Sequence, residues 1–305
     1  MLDLGIDAVE LKGLVEKALS TSCRLTPLHL RCTYPIYRCE TGDGRKLFVK
    51  VGPVGEWERT RRLTDEIGDC ELVPKLLVRE PVRLGEWAVF IGEWRDVVSV
   101  RPEDMTNGQI DGFIAGCREF SAALQAARDY TPVAGSSLDP VSLYEMLVGY
   151  VRRHPLAGRL LKPLLEIPEA ERTFGARRLF VVHGDFHSRN YGFSGDRLSS
   201  VFDFDKLTEG LACEDLVHAF VEEFACLGLS AAERGRLRTI LARVASKCPW
   251  PKEELVISCN VLRLRIACRR IAKHPNAAWT AVDIWRRDRK IREFLWFSSR
   301  KCDMI

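Results

Sequence analysis

Apolar residues at Val9, Leu11, Leu14, Val15 and Leu19 recur at helical spacing, so the chain from Asp7 to Ser20 reads as an amphipathic helix. Three short β-like stretches follow: Leu25–Cys32, Pro35–Glu40 and Lys46–Val51. The last two flank Thr41-Gly42-Asp43-Gly44, a strong hairpin signal. Glu56–Ile67 returns to helical periodicity, and Lys75–Glu80 and Trp87–Ile91 read as two more strands. This order predicts a five-stranded antiparallel sheet with a helix against it, an α+β unit.

From Asn107 onward the pattern is helical. It predicts helices over Gly108–Ala127, Leu143–Arg153, Glu214–Leu227, Ala231–Ser246, Glu253–Ala272 and Trp279–Phe297. Ser230-Ala231-Ala232-Glu233 reads as a capping box for one of them. A small β insert, Leu179–Val182 through Val201–Phe204, interrupts the helices. The two halves meet near Gly92–Asp96. Residues 1–94 are therefore expected to form one lobe and residues 95–305 a mainly helical second lobe.

The insert holds the segment that carries chemistry. Val181-Val182-His183-Gly184-Asp185-Phe186-His187-Ser188-Arg189-Asn190 is an apolar strand entering an H-G-D-x-x-x-x-N loop, followed by Val201-Phe202-Asp203-Phe204-Asp205. Gly195-Asp196 is a turn signal that folds the intervening strands together. An Asp on a tight loop, an Asn five residues later and an Asp at the end of the next strand can converge on one point. Phosphoryl transfer needs such a point. Metal ions must neutralise the phosphate charge, a carboxylate must orient the incoming hydroxyl, and Mg²⁺ prefers hard oxygen ligands. His183 and His187 stand four apart, but zinc binding at that spacing needs a helix, and this is a strand and loop.

These residues resemble the kinase motif of the aminoglycoside phosphotransferase and choline kinase superfamily, which has a protein-kinase-like two-lobed fold. The resemblance implies Asp185 as catalytic base, Asn190 and Asp203 as Mg²⁺ ligands, and Asp205 as a second acid of the metal loop. It makes His183 a brace of the loop. Lys46-Leu47-Phe48-Val49-Lys50-Val51 resembles the third-strand lysine segment, which implies Lys50 on the ATP phosphates. Glu56, Glu58 and Glu66 are candidates for its ion-pair partner, and Glu58 is favoured because it leaves room for a short loop after the strand. Ala88–Trp94 resembles the hinge strand that holds adenine, implying Ile91, Glu93 and Trp94 in nucleotide binding. Asp215-Leu216 resembles a structural pair after the metal loop; Asp215 also reads as a helix-capping acid. The likeness spans roughly Cys32 to Phe220. It departs at Arg31-Cys32-Thr33-Tyr34-Pro35, which has no glycine where protein kinases carry a glycine-rich loop.

Composition narrows the class further. Apolar residues make up 46% of the 305 and charged residues 29%, which is ordinary globular usage. No apolar run approaches the roughly 18 residues of a membrane span, and the acidic N-terminus is unlike a secretory signal. The eleven cysteines are scattered and form no C-x-x-C pair, so a cytoplasmic chain with reduced thiols is expected. No G-x-x-x-x-G-K-[ST] segment is present. Net charge is +4, unevenly spread: residues 260–305 hold 12 Lys and Arg against 4 Asp and Glu, while the remainder holds 34 against 38. Such a tail, with Arg286 and Arg287 among its cations, would repel polycations, so the acceptor is expected to be a neutral or anionic small molecule or sugar. A glycolipid sugar is an alternative acceptor, and a nucleotide-binding pseudokinase an alternative function. Nucleic acid is not expected as a partner, because the arginines alternate with core-like residues as in amphipathic helices. A membrane surface is not required.

Overall fold

The computed structural model describes residues 7–28, 34–67, 70–127, 139–169, 174, 177–222, 225, 231–275 and 279–300. The chain divides into two compact units. Met1–Val97, Ala126–Tyr130 and Ser199–Asp205 make the first, and Val98–Gln125, Thr131–Leu198 and Lys206–Ile305 the second.

The first unit opens with helix α1 (Ala8–Leu19), whose first turn is capped by Asp7 accepting a hydrogen bond from the Val9 amide at 2.8 Å. Strands β1 (Cys23–Pro27), β2 (Ile36–Thr41) and β3 (Lys46–Pro53) come next, then α2 (Val54–Glu66), β4 (Val82–Leu84) and β5 (Trp87–Glu93). The five strands form one antiparallel sheet in the order β1-β2-β3-β5-β4. Alternation along β3 decides what each face does. Leu47, Val49 and Val51 point into a core shared with Leu11 and Val15 of α1, Cys39, Val89 and Ile91. Phe48 and Lys50 point the other way, where Trp57 of α2 packs with Ala88 and Phe90.

Two expectations are corrected here. Lys75–Glu80 is not a strand; it makes a single bridge, Leu76 to Gly92. The fourth strand is Val82–Leu84, and Gly85, at φ +58°, turns the chain from Leu84 straight back to Trp87. Helix α2 also starts two residues early, at Val54, with no loop after β3. The glycine-free stretch 31–33 and Ser230 of the expected capping box lie outside the described residues.

The second unit is mainly helical. It holds α3 (Asn107–Ala126), α4 (Pro140–Arg153), α5 (Pro155–Leu165), β6 (Phe180–Val182) and β7 (Tyr191–Ser194). A turn at Gly195, φ +59°, leads into strand β8 (Arg197–Val201), whose last three residues belong to the first unit. Beyond it come β9 (Thr208–Gly210), α6 (Glu214–Val217) running into a π-helical turn at His218–Glu222, α7 (Ala231–Lys247), α8 (Lys252–Lys273) and α9 (Trp279–Arg300). Helix α5 is not among the helices expected from the sequence; it carries Pro155 and, inside it, Pro163. Pro155 sits in the first turn, where its absent N–H is not needed. Leu143, Leu147, Leu161, Leu164, Leu264, Ile271 and Ile284 bring α4, α5, α8 and α9 together in one core.

Half of the basic tail's cations are paired within this unit, some of them buried and others exposed. Arg263, Arg265, Arg270, Arg287, Arg289 and Arg292 all pair with carboxylates. Arg263 is buried and bonds Asp288 at 2.6 Å, Asn260 at 2.6 Å and the Pro163 carbonyl at 3.0 Å. Removing one partner of a buried ion pair leaves the other charge uncompensated. Arg263→Ala is therefore expected to lower unfolding stability by roughly 3–5 kcal/mol. A urea midpoint indistinguishable from wild type would show that the pair contributes nothing.

Candidate active site

In the first unit the site is built around Lys50. Its ammonium bonds Glu56 Oε1 at 2.6 Å and Asp203 Oδ1 at 2.7 Å. The partner is thus Glu56, not the favoured Glu58, and helix geometry gives the reason. Because α2 begins directly after β3, Glu56 occupies its first turn facing the sheet and is 4% exposed. Glu58 lies about 200° further round the helix and is exposed. Burial disfavours the Lys50 charge, but Asp203 and Glu56 outweigh it and hold the ammonium above its ordinary range. Burial pushes the Glu56 carboxyl up; Lys50 opposes this, and the charges of Asp203 and Asp205 add to it.

Asp203 has a left-handed backbone, φ +66°. For a non-glycine residue this is a sparsely populated conformation that costs on the order of 1–3 kcal/mol. Asp205 follows in a 3₁₀ turn, Phe204–Lys206, anchored by the buried Phe204 ring. Ile91 and Glu93 lie near the end of β5, and Trp94 follows it. The Ile91 carbonyl accepts from the Leu77 amide at 2.9 Å, and the Glu93 amide donates to the Lys75 carbonyl at 3.0 Å. The Glu93 carboxylate pairs with Arg95 at 2.8 Å, and the Trp94 indole donates to Asp96 at 2.7 Å.

In the second unit the H-G-D loop leaves β6 and is clamped from below. The buried Asp215 carboxylate accepts from the His183 amide at 3.0 Å and the Gly184 amide at 3.3 Å. Asp215 therefore holds this loop, and it makes no cap to its own helix. Burial pushes its carboxyl up against the opposing pull of His183 and those amides. The buried ring of His183 accepts from the Asp185 amide at 3.4 Å. Phe186 and Tyr191 sink into an aromatic cluster with Phe113 and Phe120, which fixes the loop on both sides of Asp185. Gly184 is needed for two reasons. Its φ is +75°, and a Cβ there would come within 2.3 Å of the Lys206 carbonyl.

Asp185 and Asn190 come together as the sequence suggested. The Asn190 amide nitrogen donates to the Asp185 carbonyl at 2.9 Å, which leaves its side-chain oxygen as the donor atom for a cation. Asp185 Oδ2 also receives Lys206 Nζ at 2.7 Å and faces His187 Nε2 at 3.7 Å. Burial pushes the Asp185 carboxyl up, but Lys206 first and His187 after it outweigh this and hold it below the usual range.

The phosphotransferase enzyme family model matches residues 26–244. The chain belongs to that family. Among solved structures, this phosphotransferase is similar to a macrolide 2'-phosphotransferase from Brachybacterium faecium, at 11% identity and TM-score 0.61, over 92% of this chain and 97% of that one. It is similar also to an amicoumacin kinase in complex with AMP-PNP and Ca²⁺, at 13% identity and TM-score 0.59, over 94% and 96% of the two chains. The ADP-bound aminoglycoside phosphotransferase APH(2'')-Ib matches at 13% identity and TM-score 0.57, over 95% and 99%. At such identities these likenesses speak for the fold, which is protein-kinase-like, two-lobed and α+β. No curated protein matches the sequence.

Sequence reasoning missed two contacts of the predicted residues, Glu56 with Lys50 and Lys206 with Asp185. Glu56 was considered and passed over, because the helix start was placed too late. Lys206 was not considered at all. It follows Asp205 in a turn, and only the pairing of β6 with the unanticipated strand β9 brings it to the loop.

Proposed function

We propose that this phosphotransferase moves the γ-phosphoryl group of ATP to a hydroxyl of a small molecule or sugar, with Asp185 as the base. The observation that carries this reading is the buried Lys50 ammonium held between Glu56 and Asp203. A buried cation bonded to two acids on a sheet face is suited to phosphate oxygens. On this reading residues 1–94 bind the nucleotide, with the Ile91–Trp94 backbone at the adenine. Residues 95–305 supply the base and the acceptor site.

Asn190, Asp203 and Asp205 each offer hard oxygens of the kind a divalent cation prefers, and on this reading they are the residues that would hold one. The cation, when bound, supplies charge neutralisation on the phosphate oxygens. The other parts belong to the chain. Lys50 positions the phosphates and Glu56 orients Lys50. Asp185 accepts a hydrogen bond from the acceptor hydroxyl, aligns its lone pair and takes its proton as transfer proceeds. Asp215 and His183 hold that carboxylate in place.

The acceptor is expected to be neutral or anionic, although with six of the tail's arginines paired this preference rests on fewer cations than the sequence suggested. ADP release with Mg²⁺-ATP should be measured with and without neutral sugars, sugar phosphates and aminoglycosides. Stimulation by a hydroxyl compound, with one phosphate recovered on it per ADP, is expected. Absence of any Mg²⁺-ATP binding would overturn the reading. No helix among the described residues is long and apolar enough to cross a membrane.

A further inference from the structure

We infer that Lys206 is a further catalytic residue of the transfer: its ammonium covers Asp185 in the resting enzyme and passes to the transferred phosphoryl group when the acceptor hydroxyl arrives. This rests on the reading of Asp185 as the base.

The first ground is placement. In the β6–β9 pair Val182 stands opposite Thr208. Continued two residues toward the loop, that register sets Gly184 opposite Lys206. The contact is so close that a Cβ on Gly184 would lie 2.3 Å from the Lys206 carbonyl oxygen. The Lys206 backbone is therefore tied to the same loop that carries Asp185, and its side chain works from a fixed point.

The second ground is the contrast between the two lysines. Lys50 is 15% exposed and bonded to two carboxylates, whereas Lys206 is 55% exposed. Asp185 itself is 18% exposed, but the lysine reaches it from the exposed side, so a hydroxyl arriving at Asp185 can displace the ammonium into solvent. A lysine stem of four methylenes then lets the charge move several ångströms without any backbone change.

The third ground is where the reacting atoms must stand. A hydroxyl served by Asp185 lies roughly 2.6–3.2 Å from a carboxylate oxygen. Its oxygen is about 3–3.5 Å from phosphorus in a reactive pose. The transferring group is then within about 7 Å of the carboxylate, and Lys206 Nζ begins only 2.7 Å from Oδ2. The step balances simply. The acceptor oxygen forms a bond to the γ-phosphorus, and the bond from that phosphorus to the β,γ-bridging oxygen breaks. The electron pair leaves with ADP, and the acceptor proton goes to Asp185. Charge spreads over the oxygens of the moving phosphoryl group, and a cation that meets them there stabilises the transition state more than the ground state.

Titration calorimetry of Mg²⁺-ADP, with and without aluminium fluoride as a mimic of the moving group, tests this on wild type, Lys206→Met and Lys206→Arg. Lys206→Met is expected to bind ADP as wild type does, yet to lose about tenfold or more of the affinity for the ADP–aluminium fluoride complex. Lys206→Arg should recover most of it. Thermal midpoints guard against misfolding, with Lys206→Gln as a second neutral variant. Equal loss of ADP and fluoride-complex binding, or no selective loss, would overturn the inference. So would a wild type that binds ADP but gains nothing from aluminium fluoride. A wild type that binds no Mg²⁺-ADP would instead overturn the proposed function beneath it.

Discussion

Asp185→Asn is expected to fold normally, to bind Mg²⁺-ATP with near wild-type affinity and to turn over about 10²–10⁴-fold more slowly, the range spanned by loss of a general base. The near-isosteric amide keeps the shape of the loop. The backbone contacts that hold the loop, from His183 and Gly184 to Asp215 and from Asn190 to the Asp185 carbonyl, do not involve the carboxylate that is changed. Activity should therefore fall without a fall in thermal midpoint. The measurement is steady-state ADP release with the best acceptor found, alongside nucleotide titration. Wild-type turnover in this variant would remove Asp185 from the chemistry.

Lys50→Met should raise the KM for ATP and lower kcat, with a combined loss of about 10²–10³-fold, comparable to deleting one preorganised donor to a developing charge. The change also strips two carboxylates of their shared cation, so a drop in stability is expected with it. Lys50→Arg separates the two effects, because it restores the charge but not the compact single-atom contact. Glu56→Gln should act in the same direction and more mildly, about tenfold, since it only orients the lysine. Glu58→Gln, on the exposed side of α2, should leave both constants at wild-type values. If Glu58→Gln were the damaging change and Glu56→Gln the silent one, the placement of α2 against β3 would be wrong.

Much of this molecule is legible from periodicity. The alternation of Leu47, Val49 and Val51 with Phe48 and Lys50 shows that a lysine stands on the opposite face from the core, and the Gly42–Gly44 turn pairs β2 with β3. The H-G-D-x-x-x-x-N spacing marks Asp185 and Asn190 as neighbours in one loop, because five residues of tight turn return the chain on itself. These are local properties, set by the two-residue repeat of a strand and by the few residues that tolerate sharp turns.

Only the tertiary structure decided which acid meets Lys50, what holds the loop and what stands beside Asp185. Glu56 and Glu58 have equal chemistry, and a two-residue shift in where α2 begins exchanges them, since neighbouring helix positions are about 100° apart. Asp215 reads as an ordinary capping acid, yet it clamps a loop thirty-odd positions earlier in the chain. Lys206 reaches Asp185 because β9, three residues with no apolar signature, pairs with β6. The arginines of α8 and α9 read as a positive field until their carboxylate partners, some four residues away on the same helix and others on a different element, are placed beside them. In each case the residue type is written in the sequence. Its partner is chosen by contacts between segments far apart along the chain, and no local pattern encodes those.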